Sequence, residues 1–254
     1  NIEWDTAGFV QGTGTLVSTG TNPYSLTGLT ENTSYDFYVQ ADCGGDSSVW
    51  VGPYTFTTPC GPITSFPYIM NFENGATCWT VNNGGDPNTW SLYYPTGGDH
   101  TSGNGIAAGI AYNSLTHDDH LISPGIPVTV GTSERFTFWA INQDPSYPDL
   151  CNILVSTTGT APADFSDTLT ASLLAPNAWT EYIYDLSSYA GDTVYVAIHA
   201  ISTWEYYLFI DDAVKSIEIL SKLVCDAIKI GKENAAKIVI EKKEKIVVNT
   251  VKTK

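Results

Sequence analysis

Short strand-like segments follow one another through residues 63–214, and they constrain the fold more than any other feature of the chain. About a dozen such segments are separated by Gly, Pro, Asn, Asp and Ser, and none of them has convincing helical periodicity. The clearest are 135–140, 152–156, 179–186, 193–200 and 206–210. Segments of this length and spacing are typical of a two-sheet jelly-roll β-sandwich, so we predict an all-β domain over residues 63–215.

Residues 1–58 have the same character over a shorter length. The segment 35–41 alternates between the two faces of a sheet, and 53–58 is a second strand-like run. A Pro/Gly-rich stretch, 59–62, then separates this region from the next. We therefore predict two domains joined by a linker at 59–62.

The stretch from Tyr24 to Val39 resembles the fibronectin type III pattern, in which a Leu-Thr-Gly-Leu turn precedes a Tyr-x-Phe-x-Val strand. The resemblance implies that Tyr35 packs at the corner of a sandwich. It covers only the later strands of that family. We therefore expect the opening strands and their buried tryptophan upstream of Asn1, and a partial fibronectin type III sandwich with an exposed edge in residues 1–58.

The second region resembles the MAM and cleaved-adhesin jelly-roll families over nearly its whole length. The motifs that carry the likeness are Asn71-Phe72-Glu73-Asn74-Gly75, Cys78-Trp79, Trp90, Asp99-His100-Thr101, His120-Leu121-Ile122-Ser123-Pro124, Phe136-Thr137-Phe138-Trp139, Trp179 and Leu208-Phe209-Ile210-Asp211-Asp212. The resemblance implies a module of a secreted or cell-surface bacterial adhesin, or an accessory module of an exported peptidase or glycosidase.

The charge of the chain is distributed very unevenly. Residues 1–214 hold 22 acidic residues and one basic residue, Arg135, whereas residues 215–254 hold ten lysines and five acidic residues. An acidic body repels phosphate backbones and anionic lipid surfaces, so we predict no nucleic-acid partner. No apolar run approaches the roughly 18–20 residues that span a bilayer, so we predict no membrane insertion.

Calcium is the cofactor that this composition favours, because Ca²⁺ takes six to eight oxygen ligands from acidic, Asn-rich loops. In jelly rolls of the resembled kind, an early Phe-Glu strand lies beside a late Ile-Asp-Asp strand, which implies Glu73 and Asp211 as first ligands. Asn82 and Asp86 lie in a loop, 81–88, that resembles a more acidic loop of the cleaved adhesins. The alternative is that these side chains face solvent or cap turns. If bound, the ion would stabilise the fold.

The sequence His117-Asp118-Asp119-His120 places two imidazoles and two carboxylates within four residues. On a strand, His117 and Asp119 share one face while Asp118 and His120 share the other, so the four cannot meet at one ion. We interpret the segment as structural, with His120 packing where the family has an aromatic residue. The sequence contains no zinc-protease helix and no serine-hydrolase elbow, so we predict that the chain is not an enzyme. The alternative that the sequence leaves open is a pair of carboxylates for glycoside hydrolysis.

Aromatic residues in loops are the candidates for ligand binding. Trp204, Tyr147 and Tyr206 are surrounded by Ser, Pro or Glu, and their rings can stack on sugars or anchor a protein partner. The alternative is that these rings fill the core. We predict a non-catalytic extracellular module that recognises glycan or a host or matrix protein, with a structural spacer as the alternative.

The chain has five cysteines, and none forms a CxxC pair. For an exported protein the simplest pairing is Cys43 with Cys60 and Cys78 with Cys151, although spacing alone does not establish it.

The tail, 216–254, follows neither resemblance and is of unknown origin. Its pattern predicts an amphipathic helix over 216–231 and a hairpin after it, a small α/β segment with Cys225 unpaired.

Overall fold

The structure, a computed structural model, describes residues 1–215. The chain divides into two compact units, residues 1–61 and a second unit that begins at residue 62. This division falls within the predicted linker, 59–62. The predicted helix and hairpin of the tail, together with Cys225, lie outside the described residues.

The first unit is one antiparallel sheet of four strands. These are β1 (Ile2–Thr6), β2 (Thr15–Val17), β3 (Ser34–Val39) and β4 (Val51–Thr57), in the spatial order β2-β1-β3-β4. The register pairs Trp4 with Phe37 and Phe37 with Tyr54, so these aromatic rings share one face of the sheet. The rings of Phe37 and Tyr54 are in contact, with centroids 5.4 Å apart, and add to the backbone pairing of the sheet.

Tyr35 is the most buried aromatic side chain of the first unit. Its Oη accepts a hydrogen bond from the backbone N–H of Thr30 at 2.9 Å, and its ring contacts Trp4 edge-on with centroids 5.8 Å apart. Trp4, which carried no prediction, lies on the first strand. The fibronectin type III resemblance of this unit stays a prediction.

The second unit is a sandwich of two antiparallel sheets. The twelve strands described in this unit are β5 (Tyr68–Met70), β6 (Thr80–Asn82), β7 (Ser91–Tyr93), β8 (Ala107–Ala111), β9 (Asp119–Ile122), β10 (Ile126–Pro127), β11 (Arg135–Asn142), β12 (Leu150–Ser156), β13 (Asp167–Leu174), β14 (Thr180–Asp185), β15 (Thr193–Ala200) and β16 (Tyr207–Lys215). One sheet has the order β13-β12-β15-β9-β6, with β10 added to β15; the other has the order β14-β11-β16-β8-β7, with β5 added to β16. The predicted all-β, two-sheet architecture is confirmed.

The core of the second unit lies between these sheets, and strict alternation along the strands builds it. On β15, Val194, Val196 and Ile198 are fully buried against the core, and Phe138 of β11 packs from the other sheet. Burial of such side chains contributes about 1.5–3 kcal/mol each. The same alternation places Ala197 and His199 on the outer face of the sheet, where Ala197 belongs to a small separate apolar cluster.

The predicted disulfide pairing is wrong. Cys60 and Cys78 are disulfide-bonded, whereas Cys43 and Cys151 are free. Cys151 is fully buried on β12, where its thiol packs within the core and burial raises its pKa. Its inward orientation follows from strand alternation, so no partner can approach it from the surface.

Candidate functional site

Exposed aromatic rings gather on three loops at one end of the sandwich. Tyr112 begins the loop between β8 and β9, Tyr147 lies between β11 and β12, and Trp204 and Tyr206 lie between β15 and β16. All four side chains are between 42% and 59% exposed. We call these four residues the aromatic loop face. It contains all three predicted ligand-binding residues, and none of them fills the core.

Backbone hydrogen bonds hold these loops together. The N–H of Trp204 donates to Asn113 O at 2.9 Å, the N–H of Tyr206 donates to Tyr147 O at 2.9 Å, and the N–H of His117 donates to Ser202 O at 2.9 Å. The rings of Tyr112 and Trp204 meet edge-on with centroids 5.7 Å apart. The rings are therefore presented on a constrained surface.

Trp204 itself has an unusual backbone. Its φ is 66°, in the left-handed region that non-glycine residues rarely adopt and that costs on the order of 1–2 kcal/mol. Yet its ring is 59% exposed and contributes little to the core. The backbone at this position therefore adopts a costly conformation that displays a large ring to solvent.

Beneath this end lies a buried polar group, the inner cluster, made of Asp86, His117 and Asp119. Nδ1 of His117 is 2.9 Å from Asp86 Oδ2 and 3.3 Å from Asp119 Oδ2, and its Nε2 is 3.1 Å from Ala111 O. A carbonyl oxygen only accepts, so Nε2 carries a hydrogen. Nδ1 faces two carboxylate oxygens, so at least one further proton must lie between Nδ1 and these oxygens. The cluster connects the β6–β7 loop to β9.

Burial governs the electrostatics of this region. Burial raises the pKa of Asp119, and the nearby Asp86 raises it further. Burial also raises the pKa of Asp149 to about 6, while His117 partly opposes that shift. These carboxyls lie in the interior of the fold, where a substrate would not reach them.

A second group, the outer cluster, lies on the opposite face of the same sheet and consists of Asp118, His120 and His199. His199 pairs directly with His120 across β15 and β9, and their rings stack with centroids 4.0 Å apart. Asp118 Oδ1 is 2.7 Å from His199 Nε2. Burial, helped by the neighbouring His199, lowers the pKa of His120 to about 4. The predicted alternation of residues 117–120 between two faces is thus what the structure has.

The predicted first calcium ligands, Glu73 and Asp211, both bind one loop, 99–106. Glu73 Oε1 accepts from Ile106 N at 3.0 Å, and Asp211 Oδ2 accepts from His100 N at 2.9 Å. A Cβ on Gly105 would overlap the Glu73 carboxylate in its present position, so a larger residue there would displace that carboxylate. Burial raises the pKa of Asp211 to about 6.

Asp99, which was not among the predicted ligands, is a third carboxylate at this loop. Burial opposes its ionisation, but N–H groups of Gly105 and Ser102 donate to it and lower its pKa to about 2. His100 hydrogen-bonds Asp212 at 2.6 Å and stacks on Trp139. The half-buried side chain of His100 is therefore held at this loop by a hydrogen bond and a ring contact.

The predicted second-tier ligands lie elsewhere. The side chain of Asn82 donates to Thr160 O at 2.7 Å, and Asp86 belongs to the inner cluster. In the part of the chain that the structure describes, the Asp and Glu among the predicted ligands do not form one group with oxygens close enough to share an ion. The loop 81–88 serves the interior of the sandwich instead.

Residues 67–215 match the family model of the cleaved adhesin domain. The chain belongs to the cleaved adhesin family. Hemagglutinin A of Porphyromonas gingivalis is 25% identical over 237 residues, covering 73% of this chain and 9% of that protein. Lys-gingipain W83 of the same organism is 29% identical over 127 residues, covering 44% of this chain and 7% of that protein. The chain therefore spans only about a tenth of the length of these curated relatives.

Two solved structures are similar to the cleaved adhesin domain. The K1 cleaved adhesin domain of Lys-gingipain from P. gingivalis W83 matches with a TM-score of 0.50 and 22% identity, over 60% of this chain and 99% of that one. The K3 domain matches with a TM-score of 0.48 and 25% identity, over 58% of this chain and 95% of that one. The K1 match supports the sandwich fold.

The family membership confirms the prediction of a non-catalytic adhesion module rather than an enzyme. The matched residues, 67–215, lie within the second unit, which carries the aromatic loop face and both clusters. Between residues 1 and 215 no helix is long and apolar enough to cross a membrane.

Proposed function

We propose that this cleaved adhesin domain binds glycan or protein surfaces outside the cell through the aromatic loop face. The observation that carries the proposal is the convergence of four exposed rings on three loops that are tied together through their backbones. Large, rigid aromatic side chains supply contact area at low entropic cost and stack on the apolar faces of sugar rings.

The charge of the domain narrows the ligand class. Arg135 is the one arginine or lysine in residues 1–214, and Glu205 lies between Trp204 and Tyr206. Anionic glycans would be repelled by this surface. The ligand is therefore an uncharged glycan or a protein surface without strong negative charge.

A secreted or cell-surface location agrees with this function. Two of the cysteines are disulfide-bonded, and disulfides persist in oxidising compartments.

Glycan-array binding and pull-down of matrix proteins test the proposal. We expect Trp204→Ala and Tyr112→Ala each to weaken binding more than about fivefold, as truncation of a central aromatic contact does. Tyr24→Ala, which removes an exposed tyrosine of the first unit, is the matched control and should bind as the wild type does. Wild-type binding that survives both loop substitutions would place the ligand elsewhere. A chain that retains no glycan and no protein would be a structural spacer or an accessory module.

We further propose calcium as a stabilising ion for the loop 99–106. The support is chemical: Glu73, Asp99 and Asp211 supply three carboxylates to one loop, and Ca²⁺ prefers such ligands. Each carboxylate already accepts hydrogen bonds from backbone N–H groups, and the oxygens of these three described side chains do not all lie within 4.8 Å of one another, so ion binding requires the loop to rearrange and bring them together. A chelator should lower the melting temperature and calcium should restore it, and Asp99→Asn should reduce that difference. A melting temperature that neither the chelator nor calcium changes would show that calcium does not stabilise the fold.

A further inference from the structure

The three loops that carry the aromatic loop face are acidic and contain no arginine or lysine. They are residues 112–118, 143–149 and 201–206, and their carboxylates are Asp118, Asp144, Asp149 and Glu205. Glu205 lies directly between Trp204 and Tyr206 in the chain. Exposed rings interleaved with carboxylates are therefore what this end of the sandwich presents to a ligand.

The two basic residues of the described chain, Arg135 and Lys215, lie at the other end of the sandwich. Arg135 begins β11 and Lys215 ends β16, whereas the loops 143–149 and 201–206 adjoin the opposite ends of these strands. A rise of about 3.3 Å per residue puts Arg135 roughly 23 Å from the loop 143–149. This separation exceeds the Debye length of about 8 Å at physiological salt, so neither residue neutralises the aromatic loop face.

Asp149, at the end of the loop that carries Tyr147, adds a buried charge to this face. Its side chain is 1% exposed, and neither carboxylate oxygen accepts a hydrogen bond from a described residue. Burial raises the pKa of Asp149 to about 6, and Glu205 raises it further, although His117 partly opposes both. The Ser202 hydroxyl is near enough to lower this pKa but not to complete a hydrogen bond. At neutral pH an unpaired negative charge therefore lies next to Glu205, where little water screens it.

We propose that the aromatic loop face recognises a protein segment that presents arginine or lysine side chains. The inference rests on the proposed function and names its ligand class. A cation over an exposed aromatic ring gains about 0.5–1 kcal/mol, and Tyr112 and Trp204 offer two such rings with centroids 5.7 Å apart. A neutral sugar stacks on the same rings but gains nothing from the charge of the carboxylates. Arginine fits best, because its planar guanidinium both stacks on rings and pairs with carboxylates.

Titration of the full chain with two peptides tests the ligand class. One peptide has capped ends and two arginines among glycines and serines; in the other, citrulline replaces each arginine and keeps its shape without the charge. We expect the arginine peptide to bind about tenfold more tightly in calorimetry, since two cations each gain from rings and carboxylates. In NMR spectra, amide signals of the three loops should shift on titration, while those of residues 1–61 should not.

Variants separate recognition at this face from general attraction to an acidic protein. Glu205→Gln should weaken arginine-peptide binding by about threefold and Trp204→Ala by about fivefold, since both remove contacts near the centre of the face. Asp192→Asn removes an exposed carboxylate at the start of β15, the strand end opposite the loop 201–206, and should bind as the wild type does. Equal weakening in Asp192→Asn and Glu205→Gln would mean unspecific charge attraction and would overturn the inference.

The outcome also distinguishes this inference from the adhesion function on which it rests. If a glycan or matrix protein binds through Trp204 while the arginine and citrulline peptides bind alike, the adhesion function stands and the basic ligand is wrong. If the peptides, the glycan array and the matrix proteins all give no binding, both are wrong. Binding of the arginine peptide that depends on Trp204 and Glu205 supports both.

Discussion

Residues 117–120 contribute to two polar clusters on opposite faces of one sheet, and the two clusters differ in how their polar atoms are satisfied. In the inner cluster both nitrogens of His117 contact oxygen atoms, and Asp86 and His117 are almost completely buried. In the outer cluster Nδ1 of both histidines is buried without a partner, and Asp118 is exposed. The same residue types, one position apart, therefore serve different purposes.

The difference follows from what covers each face. The inner cluster is enclosed by the other sheet and by the β6–β7 loop, so its groups must bind one another. The outer cluster lies beside Phe165 at the edge of a small apolar cluster and opens to solvent at Asp118. Complete internal pairing indicates a structural role for the inner cluster, whereas the outer cluster leaves two ring nitrogens unpaired among the described residues.

Substitution of His117 by leucine should have the largest effect. It leaves two buried carboxyls, Asp86 and Asp119, facing each other, and removal of one partner from a buried ionic group costs about 3–5 kcal/mol. Urea denaturation should show that loss in the free energy of unfolding. Ser114→Ala, in the exposed part of the same loop, is the control and should change little. An equal stability of His117→Leu and wild type would show that the inner cluster is not structural.

The second-largest expected effect is a dependence of the free energy of unfolding on pH through Asp149. Burial raises the pKa of Asp149 to about 6, above its unfolded value near 3.9, so the folded state favours the protonated carboxyl. The contribution of Asp149 to the free energy of unfolding is therefore fully present below about pH 4 and is lost as the pH rises through 6.

Asp149→Asn is neutral at every pH and tests this dependence. We expect the variant to gain about 2–3 kcal/mol relative to wild type between pH 4 and pH 7, measured by denaturation with chelator present. A stability difference that is constant with pH would show that Asp149 ionises as freely as in water.

The sequence predicted part of this contrast and missed the rest for physical reasons. Alternation along one strand is local, so the sequence correctly separated His117 and Asp119 from Asp118 and His120. The partner His199 lies on β15, about 80 positions away, and only the strand register brings it to His120. The same dependence on long-range packing explains why Cys151 was wrongly paired and why Tyr112 was overlooked. The two-sheet fold was predictable because its signal repeats in every strand.

Replacement of His120 by phenylalanine should have a smaller effect, opposite in sign to that of His117→Leu. The substitution removes a buried ring nitrogen without a partner and keeps a ring against Phe165. In chelator we expect a gain of about 1 kcal/mol in the free energy of unfolding, because the cost of the unsatisfied atom disappears. A loss comparable to that of His117→Leu would mean that the two clusters are equivalent.

His199→Gln should have the smallest effect. The carboxylate of Asp118 is exposed, and an ion pair with such a group contributes about 0–1 kcal/mol. We expect a change below about 0.5 kcal/mol in the free energy of unfolding, measured by urea denaturation. His117→Gln, the matched change on the opposite face, should instead give a large loss, because it breaks a buried pairing. A loss in His199→Gln as large as that in His117→Gln would show that the outer cluster is as structural as the inner one.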